Sequence, residues 1–218
     1  MTQGKLIVFE GTDGSGKKTQ AEFLVRYLTN HNISHATIDF PRYKESFFGS
    51  IAEDLLLGKL GENIPPKLAV LPFACDRWQI KNDVISWLEG GKIVLSNRYT
   101  ASSAVYHAAK LPQSEQQSFI EWVYKLEQEI IGLPKENLVL YFHMPVESAQ
   151  SLIDKRGNTK DTYEKDTELL KTVETLYLSL VARYPHWKMI QCTKDSQIRP
   201  REEIHKEVLD VFAQNGIL

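Results

Sequence analysis

The sequence predicts an α/β fold, a five-stranded parallel sheet flanked by helices. Three observations carry this expectation. Short β-rich apolar runs alternate with longer amphipathic stretches, a glycine-rich turn joins the first run to the first helix, and the runs are almost continuously apolar, as strands covered on both faces must be. The first strand is read over residues 6–9, followed by a helix over 19–29 whose apolar residues recur at three- and four-residue spacing. A second strand follows at 36–40, then a helix carrying Phe73 to Trp78, then a third strand at 93–95. A helical pattern over 113–131 leads to a fourth strand at 138–142, and one over 164–184 leads to a fifth at 188–191. The last helix covers about 200–213, with Pro200 in its first turn, where a missing N–H is harmless. Pro65-Pro66 and Gly132-Leu133-Pro134 punctuate the chain, but periodic pattern resumes on either side, so residues 1–218 are read as one domain. Ligands are expected beyond the carboxyl ends of the strands.

Composition narrows the function classes. The 26 Lys and Arg against 28 Asp and Glu leave a formal charge of -2, so no chain-wide basic field exists to hold nucleic acid or an anionic membrane. Any anion site must be a local concentration of charge. With 42% hydrophobic and 25% charged residues the chain falls in the globular range, and its first apolar run is too short for a signal peptide or a spanning helix. The two cysteines, Cys75 and Cys192, form no CxxC or Cys/His cluster, which points to a reducing, cytoplasmic setting without a zinc site.

The segment from Leu6 through Glu10-Gly11-Thr12-Asp13-Gly14-Ser15-Gly16-Lys17-Lys18-Thr19 has the strand, turn and helix layout of a P-loop. Glycines at 11, 14 and 16 let backbone N–H groups converge on phosphate oxygens, the helix N-terminus adds a favourable dipole, and Lys17 can reach the terminal phosphates of a nucleoside triphosphate. A GxxxxGK string arises by chance in roughly one such chain in twenty, so the strand before it and the helix after it carry the assignment. On this reading Gly11, Gly14, Ser15, Gly16, Lys17, Lys18 and Thr19 bind ATP. Lys18 stands where a Ser or Thr usually offers its hydroxyl to Mg2+, and Thr19 is one residue late; Mg2+ is then expected to rest mainly on phosphates and water, with its protein ligands left open.

Further segments point to a second phosphate. They are Asp39-Phe40-Pro41-Arg42 at the end of the second strand, Phe73 to Trp78, Asn97-Arg98-Tyr99 after the third strand, and a basic stretch holding Lys155, Arg156 and Lys160. In this order, and with Gly132-Leu133-Pro134-Lys135 and Tyr163-Glu164, the motifs resemble the thymidylate kinase family over nearly the whole chain. The resemblance implies a P-loop NTPase fold with a short lid at about 155–163, phosphorylation of dTMP to dTDP by ATP with Mg2+ in dTTP biosynthesis, direct in-line transfer and a homodimer. Phe73 and Arg77, four apart on one helix face, can stack on the thymine and donate to its edge, and the family uses these positions so. By the same resemblance Arg98 and Arg42 take the acceptor phosphate, Asp13 the sugar 3'-hydroxyl, and Tyr163 the deoxyribose. Phe40, Pro41, Ser102 and Tyr106 line the acceptor pocket. Lys17, Arg98 and Arg156 supply positive charge to the moving phosphoryl group, Arg156 because Gly14 replaces the P-loop arginine of some members. Asn97 replaces a more usual Asp, leaving Glu10, Asp13 and Asp39 as nearby acids. Two alternatives stay open: a kinase for another nucleotide such as dUMP, and a nucleotide-binding protein with weakened catalysis. The histidines show no ligand spacing and are expected at the surface or in caps.

Overall fold

The computed structural model describes residues 3–61, 63–150, 166–195 and 197–218. Its main sheet is parallel, in the order β2-β3-β1-β4-β5, with β1 at Lys5–Glu10, β2 at His35–Asp39, β3 at Ile93–Asn97, β4 at Leu138–His143 and β5 at Trp187–Gln191. Alternate side chains of β1 serve two cores. Leu6 and Val8 join Val94, Val139 and Tyr141 on one face, while Ile7 and Phe9 join Leu95, Leu140 and Phe142 on the other. Both faces are covered, which explains why β1 has no polar alternation.

Helix α1 (Lys17–Asn30) buries Gln20, Leu24 and Leu28, each four residues on, against the second core. Burying Leu24 and Leu28 contributes roughly 2 kcal/mol each. On the same face, α9 (Arg201–Gln214) repeats the spacing with Ile204, Val208 and Phe212. The other face is covered by α6 (Thr100–Ala108), α7 (Gln113–Tyr124) and α8 (Thr167–Arg183), the last starting at Asp166, whose side chain accepts from Leu169 N at 3.0 Å. Between β2 and β3 lie α2 (Phe47–Leu56), α3 (Pro66–Ala69), α4 (Leu71–Gln79) and α5 (Lys81–Glu89).

Several boundaries differ from expectation. β3 runs on to Asn97 because Ser96 and Asn97 stay in register with Val8 and Phe9 of β1. The helix expected over 113–131 is α-helical only to Tyr124 and continues as a π-helical turn, Lys125–Ile130. An antiparallel pair, β6 (Thr193–Lys194) and β7 (Gln197–Ile198), follows β5 and has no strand-length apolar run to announce it. Cys75 and Cys192 are both free, and no described helix is long and apolar enough to cross a membrane.

Candidate active site

The glycine turn closes because two of its positions admit no ordinary side chain. Gly11 has φ +141°, and a Cβ there would meet Phe142 O at 2.6 Å; Gly16, with φ +86°, has no side chain to cap α1, so the first N–H groups of the helix remain available to an anion. Lys17 lies buried beneath the turn and donates from Nζ to Gly11 O and Thr12 O, both at 2.8 Å. Burial, followed by repulsion from Arg98, lowers its ammonium to about 7 despite the nearby Asp13 and Glu10. Gly14, Ser15, Gly16 and Thr19 open onto a cleft whose opposite wall includes Ile198, Arg199 and Arg201.

Arg98 follows β3 with φ 65°, a left-handed conformation. Its Nη2 donates to both oxygens of Asp13, at 2.8 and 2.7 Å, its Nη1 to Ser102 Oγ at 3.0 Å, and the guanidinium lies 5.4 Å from the Tyr106 ring centroid. Burial is the largest influence and works against its charge, but Asp13, with Tyr106, Tyr177 and Glu10 added, outweighs it and holds Arg98 well above the usual arginine range. The helix behind it is fixed by Glu10, which is fully buried and accepts from Tyr99 N at 3.0 Å, Ser102 N at 3.2 Å, Ser102 Oγ at 2.6 Å and Tyr177 OH at 2.8 Å. A carboxylate at this N-terminus stabilises α6 and leaves Glu10 no free role at a metal.

A second cavity, of about 580 Å³ including its open mouth, gathers most of the residues expected to bind the acceptor: Asp13, Phe40, Pro41, Phe73, Arg77, Arg98, Ser102 and Tyr106. The Phe40-Pro41 bond is cis. On α4, Phe73, Asp76 and Arg77 share one buried face. Phe73 meets the His107 ring edge-on at 5.4 Å, and Arg77 stands over Phe40 with its guanidinium carbon 5.8 Å from the ring centroid. Arg77 is not reaching outward: Nε and Nη2 donate to Glu127 at 2.7 and 2.6 Å, and Nη2 also to Ser103 Oγ at 2.7 Å.

Sequence reasoning missed Tyr43, Leu56 and His107 in this lining, and Glu127 behind it. His107 corrects the expectation of surface histidines. It is 1% exposed, bonds Ser103 O through Nδ1 at 2.8 Å, and burial lowers it to about 4, so it is neutral at physiological pH. Its spacing of four from Ser103, with Tyr106 alongside, was the available signal. Glu127 falls three and four residues on in the spacing of the buried Ile120 and Val123, and that inward periodicity was its signal.

Arg42 and Lys18 are placed elsewhere. Arg42 is held by Asp76, its backbone N at 2.8 Å from Oδ2 and its Nε at 3.1 Å from Oδ1, and it lines a separate depression with Lys18, Arg26 and Asp39. The buried Asp76 carboxylate orients the Arg42 guanidinium, as Asp13 orients that of Arg98. Lys18 is exposed because consecutive residues of a helix diverge by about 100°, so Lys17 turns under the loop and Thr19 toward the nucleotide cavity. Lys155, Arg156, Lys160 and Tyr163, with the lid at about 155–163, lie outside the described residues.

Among the described residues no group of three or more His, Cys, Asp or Glu is arranged to hold a metal. The P-loop still offers oxygens in the Asp13 carboxylate, whose side chain is 39% exposed, and the Thr19 hydroxyl. That small set fits Mg2+ carried largely by phosphate and water.

The parallel sheet and the P-loop, with one cavity lined by Asp13 and Arg98 and a second lined by Gly14, Ser15 and Gly16, define a P-loop nucleotide-binding fold with room on two sides of its loop. Comparison with known proteins specifies which. The family model described as Thymidylate kinase matches residues 9–208, and the chain belongs to the thymidylate kinase family. It is therefore an ATP-dependent dTMP kinase. The chain is 33% identical to a thymidylate kinase of Mycobacterium tuberculosis over 184 residues, covering 82% of this chain and 86% of that one. It is 31% identical to a thymidylate kinase of Plasmodium falciparum over 207 residues, covering 95% and 89%. A solved thymidylate kinase structure from Candida albicans superposes with a TM-score of 0.80 at 21% identity, over 99% of this chain and 93% of that one, which supports the shared fold.

Proposed function

We propose that this protein phosphorylates dTMP in a single in-line step. A 5'-phosphate oxygen of dTMP attacks the γ-phosphorus of ATP, the bond from that phosphorus to the β,γ-bridging oxygen breaks, and ADP and dTDP leave, the latter serving dTTP synthesis. The observation that carries the reading is the convergence of Lys17 and Arg98. Lys17 lies beneath the P-loop and Arg98 in the acceptor cavity, near enough for Arg98 to lower the Lys17 ammonium. Phosphoryl transfer asks mainly for positioning and for positive charge on the migrating group, and these two supply both.

ATP lies with its phosphates on the Gly11–Lys17 turn and its nucleoside in the cavity bounded by Thr19 and Arg199. The dTMP phosphate pairs with Arg98, the base packs on Phe73, and Arg77 donates to a base carbonyl. Asp13 orients Arg98 and faces the sugar, with Pro41, Ser102 and Tyr106 completing the walls. Asp13 or Thr19 would offer a protein oxygen to Mg2+ bound with ATP, which would neutralise phosphate charge. Lys18 is assigned to the ATP phosphates, and Arg42, oriented by Asp76, to the acceptor phosphate beside Arg98.

Arg156 is assigned to the charge on the transferring group, with Tyr163 on the deoxyribose. Arg156→Ala is expected to lower kcat by about a thousandfold while leaving the dissociation constant of dTMP nearly unchanged, measured by steady-state kinetics and calorimetry. Equal turnover would remove Arg156 from the mechanism.

A homodimer is proposed through α2, α3 and α4. Phe47, Leu68 and Trp78 are 67%, 57% and 53% exposed, and Phe48 N bonds Gln79 Oε1 at 3.2 Å, bringing the start of α2 to the end of α4. Such apolar exposure marks a contact surface. Trp78→Glu is expected to shift the mass in light scattering from two chains to one; an unchanged mass would place the interface elsewhere.

Label from [γ-32P]ATP tests the reaction itself. It is expected in dTDP, only when dTMP is present. Release of inorganic phosphate without transfer would contradict the reading.

A further inference from the structure

The side chain that anchors Arg77 comes from the least regular helical element in the molecule. At Lys125 the backbone leaves α-helical register for a π-helical turn, a local widening that occurs frequently at functional sites. Glu127, in that turn, is fully buried. Its Oε1 accepts from Arg77 Nη2 at 2.6 Å, and its Oε2 accepts from Arg77 Nε at 2.7 Å and from Thr100 Oγ1 at 2.7 Å. Three elements, α4, α6 and the π-helical turn, thus meet on one carboxylate at the back of the acceptor cavity.

Stability alone gives little reason for this arrangement. A buried ion pair loses hydration on both partners, and apolar residues of similar volume often do as well or better. Geometry offers a reason. Two parallel hydrogen bonds fix the plane of a guanidinium as a single bond cannot, and Ser103 fixes the same nitrogen from a second direction. Arg77 is then left with Nη1, which makes no hydrogen bond to a described residue, on a side chain that lines the cavity.

We infer that Glu127 is the positioning residue that fixes Arg77 as a reader of the acceptor base. Resting on the assignment of Arg77 to the base, this deepens the proposed function and names the ligand class: pyrimidine nucleotides with a carbonyl at position 4, thymine or uracil, over cytosine with its amino group there. A fixed donor meets the carbonyl squarely and meets the amino group as a donor opposite a donor. A loosely held arginine could turn aside and tolerate both.

A double-mutant cycle tests it with Arg77→Met, Glu127→Gln and the pair, reading kcat, KM for dTMP, KM for ATP and the preference for dTMP over dCMP. Glu127→Gln is expected to raise KM for dTMP by about ten- to a hundredfold and to narrow the dTMP preference, with KM for ATP within about twofold of wild type. The double variant is expected to be no worse than Arg77→Met, because Glu127 acts through Arg77. Losses that multiply, or equal rises in both KM values, would mean a structural role and overturn the inference. If Arg77→Met leaves KM for dTMP unchanged, the base-reading assignment itself fails; if Arg77→Met is severe and Glu127→Gln silent, only the positioning role fails. Should Glu127→Gln not fold, Thr100→Val removes one hydrogen bond from the same carboxylate and keeps the ion pair. It is expected to raise KM for dTMP in the same direction by less, and an unchanged value would equally overturn the inference.

Discussion

Arg98→Ala is expected to lower kcat/KM for dTMP by about a thousandfold, the usual loss when an arginine that neutralises a transferring phosphate is removed. The size of the effect follows from how the residue is held. Asp13 takes both hydrogens' worth of contact on one side, Ser102 binds the other nitrogen, and Tyr106 lies against the face. The guanidinium therefore meets the acceptor phosphate already oriented, and little freedom is lost on binding. Arg98→Lys is expected to recover less than about a tenth of the activity, since a lysine cannot bridge Asp13, Ser102 and a phosphate together. Both effects should appear in KM for dTMP and in kcat, with KM for ATP little changed. Wild-type dTMP kinetics in Arg98→Ala would remove Arg98 from the site.

The second large effect belongs to Lys17. Lys17→Met should lower kcat by roughly a hundred- to a thousandfold, the range for losing one preorganised donor to developing charge. Its pH behaviour is a sharper signature. With a value of about 7, set by burial and then by Arg98, Lys17 is largely protonated at pH 6 and largely neutral at pH 8 in the free protein. ATP phosphates beside it favour the ammonium and raise its value, so binding takes up a proton where the free group has lost one. Calorimetry in buffers of different ionisation enthalpy should show about one proton taken up per ATP at pH 8 and close to none at pH 6. Lys17→Met should abolish the difference. Equal uptake at both pH values in the wild type would contradict the electrostatics described for the loop.

What could be read from the amino acids follows from how local each interaction is. The strand, turn and helix around Lys17 are written in one stretch: an apolar run covered on both faces, glycines where φ is positive, and leucines four apart behind them. Helix spacing put Phe73 and Arg77 on one face, and their assignment to the base came from the family resemblance of the surrounding motifs. Interactions between distant segments were not. Glu10 looked like an acid available to a metal, and only the crossing of β1 under α6 shows it bound by Tyr99, Ser102 and Tyr177. Arg42 could be read as an exposed loop arginine, and its pairing with Asp76, thirty-four residues away, could not. Lys18 was legible as a departure inside the phosphate loop, but that its side chain is exposed and lines the depression shared with Arg42 was not. Glu127 shares the helix face of Ile120 and Val123, but its partners Arg77 and Thr100 lie 50 and 27 residues away, and only the fold brings them to it.

The central claim is that two positively charged groups hold two phosphates for direct exchange. Coupled ADP-release kinetics across dTMP, dUMP, dCMP, AMP and thymidine test it most directly. The highest kcat/KM is expected with dTMP, and thymidine should be nearly inert because it brings no phosphate to Arg98. ADP release that is independent of the acceptor, or thymidine used as well as dTMP, would contradict it.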